Sequence, residues 1–285
     1  MSTPIFADDS GEQRWYTHPV TGERFLSVTS ALGYVSKFGL TDWAAKLTAE
    51  AAVRRGADVA KAASLAACNA LPGEECGRCG QCMTAWLASR HNVVRDTAAD
   101  LGSRFHEAAE AHTLGGLGAD VDADVRPFFD AYTTWADRVR PRIEAAEATV
   151  IHRSFGYAGT LDAVMVIPDD ADLPASMRHL RGRRLVVDFK TGKHVGAQAA
   201  WQLAAYRFAE AVLLPEGDEE PVPAVDGGLV LHIRPEGVAM REAHIGPKTF
   251  NKFLHALRVA EGVMAPLGES LSRPARLTEK KKASV

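Results

Sequence analysis

The run RRLVVDFK at residues 183–190 narrows the fold more than any other stretch of the chain. Its leucine, two valines and phenylalanine describe a short buried strand, yet Asp188 and Lys190 stand inside it. Side chains alternate faces along a strand, so Asp188 and Lys190 point one way and Val187 and Phe189 the other. A buried carboxylate is costly unless it meets a partner or a metal. This strand therefore belongs in a sheet that carries charge chemistry at one end.

Neighbouring segments have the same texture. EATVIHRSF from Glu147 and YAGTLDAVMVI from Tyr157 read as strands, and GGLVLHI and GVAMREAHI as a hairpin turning at PEG. Helices are expected over 40–67, 84–113, 122–140, 195–214 and 247–264. A short helix starts at SVTSALGYV, capped by Ser27 or Thr29. Residues 1–26 read as irregular, and the Gly-rich GGLGAD closes the helix before it. Strands in sequence followed by a crossover helix predict an α/β chain with a mixed β-sheet flanked by helices.

The chain has 285 residues, enough for one large domain with insertions. We expect an N-terminal helical region over 1–94, with a cysteine-bearing insertion at 68–82. A core over 95–265 and a basic tail over 266–285 follow. No apolar run reaches the length of a membrane span, and the start lacks a basic, then apolar, leader. The expected address is the cytoplasm (of the host, for a phage-encoded chain), with no membrane partner. The net charge of -3 shows no global preference for nucleic acid, but phosphate contacts need only a local basic surface.

Asp162 lies in the strand before Asp188, among Leu161, Ala163 and Val164. Two carboxylates on neighbouring strands repel unless a cation lies between them. A hard divalent ion such as Mg²⁺ suits two carboxylates plus water and phosphate oxygens. A lysine on the same face can orient water or stabilise charge in a transition state. Taken alone, D-x-K is better read as an ion pair at a strand mouth, because the pattern is short and common. GKH at 192–194 lacks the glycine and the hydroxyl of a phosphate-binding loop, so no nucleotide cofactor is expected.

GTLDA at 159–163, VVDFKTGK at 186–193 and QLAAY at 202–206, preceded by LGSRFHEAAEAH at 101–112, together resemble the PD-(D/E)xK nuclease superfamily. The likeness is to its RecB-type branch, which includes the CRISPR-associated exonucleases of the fourth Cas family and related phage exonucleases. It implies a restriction-endonuclease-like sheet and a DNA nuclease, expected to be an exonuclease. In the resemblance Asp162 and Asp188 ligate Mg²⁺ or Mn²⁺, with the Phe189 carbonyl joining them, and His106 contributes from its helix. Lys190 positions the attacking water, Gln202 and Tyr206 reach toward the substrate, and Glu147 matches an acidic position of the branch. The implied partners are DNA and a separate helicase or recombination protein. A structure-specific endonuclease and an inactive DNA-binding protein of the same fold are the rivals.

All four cysteines fall in CNALPGEECGRCGQC, giving C-x7-C-x2-C-x2-C from Cys68 through Cys76 and Cys79 to Cys82. Such crowding in a chain without other cysteines points to a structural metal. Zinc takes four thiolates, and iron–sulfur clusters also use C-x2-C runs. Many members of the resembled branch carry a [4Fe–4S] cluster, but from one cysteine before the core and three after it. Here all four precede His106, which favours Zn²⁺, and His91 is a reserve ligand. For DNA contact, Arg104, Arg207 and Lys193 stand nearest the expected site. Arg178, Arg181, Arg183 and Arg184 form a basic loop at the far end of the strand, Trp201 suits core packing better than base stacking, and Lys280 to Lys282 add basic charge in the tail.

Overall fold

The computed structural model describes residues 6–11, 13–35, 39–64, 68, 76, 79–113 and 121–265. Three short strands come first: β1 (Ala7–Asp8), β2 (Trp15–Thr17) and β3 (Arg24–Ser27). Six helices follow among the described residues: α1 (Val28–Gly33), α2 (Leu40–Arg54), α3 (Gly56–Ala63), α4 (Gly80–Ala88), α5 (Arg90–Thr113) and α6 (Arg126–Val139). The chain then runs β4 (Arg142–His152), β5 (Tyr157–Val166), a 3-10 turn at Ala175–Leu180, and β6 (Arg184–Lys190). After α7 (Gln198–Arg207) come β7 (Ala211–Leu213), β8 (Glu219–Pro221), β9 (Gly227–Arg234), β10 (Gly237–Ala243) and α8 (Pro247–Met264). The expected tail, the GGLGAD break and most of the cysteine loop lie outside the described residues.

Local chemistry sets the helix ends. Ser27 caps α1, its Oγ accepting the Ser30 N–H at 3.1 Å. Helix α6 buries Phe128, Phe129, Tyr132, Trp135 and Val139 along one stripe, and it stops at Arg140, which turns left-handed just before Pro141. Pro247 opens α8, where a missing N–H costs no helical bond.

The ten strands form one mixed, mostly antiparallel sheet flanked by helices. Its parallel pairs are β3 with β5 and β6 with β9. Strand β4 runs along one edge of β5. The other edge is divided: β3 pairs with Tyr157 and Ala158, and β6 pairs with residues 163 to 166. Between them, residues 159–162 have no strand partner on that edge among the described residues, and β5 and β6 part beyond Ala163 and Val187. That fork is where the sheet opens.

Apolar cores lie on both faces. Leu161, Val164, Val186 and Val230 meet α1, α7 and α8 on one face. Ala163, Met165, Val187 and Phe189 meet α5 and α6 on the other. Large side chains without measurable exposure, such as Phe105 and Phe253, each contribute about 1.5–3 kcal/mol by leaving water.

Four expectations need correction. Residues 1–26 are not simply irregular, because β2 and β3 pair with each other and β3 joins the main sheet, so the N-terminal region is not purely helical. The expected boundary between 94 and 95 falls inside the continuous helix α5. The helix expected over 195–214 is confined to Gln198–Arg207, and Ala211–Leu213 pairs with β4 instead. The open edge of β4 and the β-branched Val212 outweigh the local helical pattern. Helix α4 also starts earlier than expected, because Cys79 caps it and accepts the Cys82 N–H at 3.4 Å.

Candidate catalytic site at the strand fork

Asp188 alternates with Val187 and Phe189, which are packed in the α5–α6 core, so it faces α7 together with Lys190. Its side chain is 1% exposed, whereas that of Lys190 is 34% exposed. Lys190 Nζ donates to Asp188 Oδ1 at 2.5 Å and reaches Gln202 Oε1 at 3.4 Å. Gln202 in turn donates from Nε2 to the Tyr206 hydroxyl at 3.0 Å. Asp188 Oδ2 is buried and meets no hydrogen-bond partner. Burial pushes the Asp188 carboxyl above its ordinary range; Lys190 opposes the rise and Asp162 adds to it. Burial disfavours the Lys190 ammonium, but Asp188 and Asp162 outweigh it and hold the proton more tightly than usual.

Asp162 sits on the other arm of the fork. Its Oδ2 accepts the main-chain N–H of Phe189 at 2.6 Å. The carbonyl of the same Phe189 lies 3.1 Å from His106 Nε2. A carbonyl only accepts, so Nε2 carries the proton in that bond. The other ring nitrogen, Nδ1, then faces Asp162 Oδ1 at 3.5 Å and Glu147 Oε1 at 4.0 Å. His106, Glu147 and Asp162 each bring one ligand atom, all within 4.8 Å of one another, and could hold a metal ion.

Glu147 reaches this group at a backbone cost. Its φ of 46° lies in the left-handed region inside strand β4, a conformation costing about 1–2 kcal/mol for a residue with a Cβ. The pleat is disturbed here: Leu161 and Val164 both face the α7–α8 core, while Ala163 and Met165 face the other. Burial, then Asp162, then Glu110 push the Glu147 carboxyl up to about 8.

Gly159 and Gly102 both line the site. A Cβ on Gly159 would come 2.7 Å from Tyr206 Cε1, so only glycine lets that ring lie against β5. A Cβ on Gly102 would come 3.4 Å from Thr191 Oγ1, an ordinary contact distance, which marks how α5 packs on the end of β6. A cleft of about 490 Å³ opens over these groups.

Seven residues expected at the site are thus brought together: His106, Glu147, Asp162, Asp188, Lys190, Gln202 and Tyr206. Gln202 and Tyr206 line the cleft. They are buried, at 8% and 2% exposure, and their polar ends serve Lys190 and each other. Of the expected DNA contacts Arg104 is engaged elsewhere, and so are Arg181, Arg183 and Arg184 of the far loop. Arg104 is bound by Asp100, Asp122 and Asp124, and Arg184 by Glu144. Arg181 and Arg183 donate to the carbonyls of Ala171 and His179. Arg207 stacks on Phe208, Lys193 is exposed, and Trp201 packs against the core as expected. Sequence reasoning passed over Arg14, Tyr16 and Glu110, which also line the cleft. Glu110 had a signal, lying one helical turn after His106; Arg14 and Tyr16 had none, because Tyr16 lies in a strand of only three residues and Arg14 just before it.

The cysteines form a second cluster. Cys82 Sγ lies 3.6 Å from the sulfurs of both Cys68 and Cys76, and all four sulfurs lie within 4.8 Å of one another, so they could hold a metal ion. Main-chain N–H groups of Cys79 and Cys82 point at the sulfurs of Cys76 and Cys79, each at 3.4 Å. Helix α4, which carries Cys82, is tied to its neighbours through Trp86, covered by the guanidinium groups of Arg55 and Arg90.

No family model matches the chain, and no curated protein sequence matches it. Fifteen chains of solved structures match. One, described as "Crystal structure of SSO0001", aligns at 12% identity over 59% of this chain and 71% of that chain, with a TM-score of 0.28. A score that low carries no argument about function. No helix among the described residues is long and apolar enough to cross a membrane.

Proposed function

We propose that this chain is a divalent-metal-dependent deoxyribonuclease of the PD-(D/E)xK type, acting as an exonuclease on a restriction-endonuclease-like sheet. One observation carries the reading. The Asp188–Lys190 pair and the His106–Glu147–Asp162 group meet at one strand fork, over one cleft.

The donor set fits a hard cation. Asp188 Oδ2 is buried without a partner, and carboxylates so close repel unless positive charge lies among them. Asp162, Asp188, His106 and Glu147 would hold Mg²⁺ or Mn²⁺. Such an ion supplies Lewis acidity toward water and toward phosphate oxygens. The chain's own residues do the rest. Phe189 orients both Asp162 and His106 through its main chain. Lys190 keeps its proton and stands ready to stabilise anionic charge at the cleft. Gln202, anchored by Tyr206, fixes the direction of the Lys190 ammonium.

The cysteine group completes the reading as a structural site. A tetrahedron of four thiolates around zinc, with bonds of about 2.3 Å, has edges of about 3.8 Å. The two sulfur separations of 3.6 Å agree with that edge. An iron–sulfur cube interposes a cage of iron and sulfide and spreads its four cysteines beyond the 4.8 Å limit seen here. Zinc is the ion this geometry favours.

The test is degradation of end-labelled linear DNA with Mg²⁺ or Mn²⁺, beside the Asp188→Ala and Lys190→Ala variants. Equal degradation by all three would refute the nuclease reading. Cleavage of a closed single-stranded circle would replace the exonuclease with an endonuclease.

A further inference from the structure

The cleft lining is electrically lopsided. Helix α5 and strands β4 and β5 contribute Glu107, Glu110, Glu147 and Asp162. Among the described lining residues, the lysine and arginine side chains are Lys190 and Arg14, and Lys190, bonded to Asp188, serves the phosphate at the fork and not the flanking ones. A nucleic-acid strand is a chain of phosphates. An ion at the fork offsets charge at one of them, and the flanking phosphates still meet the carboxylates of α5. A strand can lie there only if another part of the lining offers donors.

The N-terminal strands provide that part. Arg14 is pinned through its main chain, its N–H donating to Ser30 Oγ at 2.9 Å and its carbonyl accepting the Ser27 N–H at 3.1 Å. Its guanidinium uses Nε and Nη2 on Asp9, at 2.6 and 2.8 Å. A guanidinium has five N–H donors in a planar fork, so that pairing leaves capacity for a phosphate. The pair is itself exposed, at 36% and 41%, so water screens it and an incoming phosphate can compete for it. Beside Arg14 stand hydroxyls: Tyr16 bonds Thr160 at 3.0 Å, two residues from Asp162 on β5, and Ser27 bonds Thr29 at 2.7 Å.

We propose that Arg14, with the hydroxyls of Tyr16, Thr160 and Thr29, is a phosphate-positioning site that holds the substrate strand beside the phosphate being cleaved. The proposal rests on the nuclease reading and identifies the part of the cleft that recognises a polyanionic strand.

The experiment measures binding apart from hydrolysis. A fluorescein-labelled oligothymidylate is titrated by anisotropy in Mg²⁺ at several KCl concentrations, on the Asp188→Asn background. Adding Arg14→Gln is expected to weaken binding about tenfold and to flatten the log–log salt slope by about 0.7, the share of one phosphate contact on a single strand. Arg14→Lys is expected to keep the slope and lose less affinity. Arg258→Gln, on an exposed pair with Glu261 in α8, is the control and should change nothing. In the otherwise unaltered chain, Arg14→Gln should raise KM more than it lowers kcat. Equal affinity and slope for Arg14→Gln, or no binding before Arg14 is changed, overturns the proposal. Failure of the nuclease reading shows separately, as absent Mg²⁺-dependent cleavage by the unaltered chain.

Discussion

Lys190 donates to one oxygen of Asp188 at 2.5 Å, while the other oxygen of Asp188 is buried with no partner. The pair is half satisfied: its charge is countered, but one acceptor still lacks a donor or a cation. Lys190→Met would leave the carboxylate buried without any counter-charge. We expect a loss of about 1–3 kcal/mol in urea unfolding, below the full cost for a buried pair because Lys190 is partly exposed. Cleavage should fall at least about a hundredfold, as for removal of a positioned acid–base group. Unchanged stability would show that Asp188 finds another partner.

The raised carboxyls make a pH prediction with a definite sign. Glu147 titrates at about 8 in the fold against an ordinary value of 4.5, and Asp188 is shifted the same way. Between those limits the unfolded chain has lost its protons while the fold still holds them. The metal-free protein should therefore lose stability as pH rises from about 4.5 to about 8 and then level off. Glu147→Gln should flatten most of that decline. Mg²⁺ should oppose it, binding the fold and raising the melting temperature more at pH 8 than at pH 5. Melting curves across pH, with and without Mg²⁺, decide; a decline that survives Glu147→Gln would assign it to other groups.

Gly159 and Tyr206 are coupled by contact. Gly159→Ala would force the buried Tyr206 ring to move and should cost about 1–3 kcal/mol through overpacking. It should also slow cleavage, because Tyr206 anchors Gln202 and Gln202 holds Lys190. Tyr206→Leu in the Gly159→Ala background should recover part of the stability and none of the activity. Additive losses in that double-mutant cycle would break the proposed coupling.

For the cysteine cluster we expect one zinc per chain by metal analysis and no visible absorption band. Cys82→Ser removes the sulfur that stands 3.6 Å from two others. It should abolish zinc retention and lower the melting temperature by about 5–10 °C, the equivalent of about 3 kcal/mol in a protein of this size. A brown protein containing iron would sink the zinc assignment.

Much of this was readable along the chain. Alternation in RRLVVDFK set Asp188 and Lys190 on one face and Val187 and Phe189 on the other, because the two-residue period of a strand is a property of the backbone. Cysteine spacing announced a cluster, and Ser27 announced a helix start. These signals are local, so tertiary context had little room to override them.

The fork was decided by tertiary structure. Whether D-x-K is a surface ion pair or part of a site depends on what stands opposite. Here β3 and β6 divide one edge of β5, and the gap between them exposes Asp162 beside Glu147 and His106. The left-handed turn of Glu147 has no sequence mark, since strain is tolerated only where surrounding packing enforces it. Gln202 and Tyr206 turned inward to Lys190, because buried polar groups take the partners the fold supplies, and Arg104 turned to three aspartates brought beside it at the surface. By itself the sequence determined which charged residues stand inside the strands and which faces of the strands are apolar. Only the tertiary structure decided which of those residues meet, because pairing across strands depends on register and on where the sheet divides.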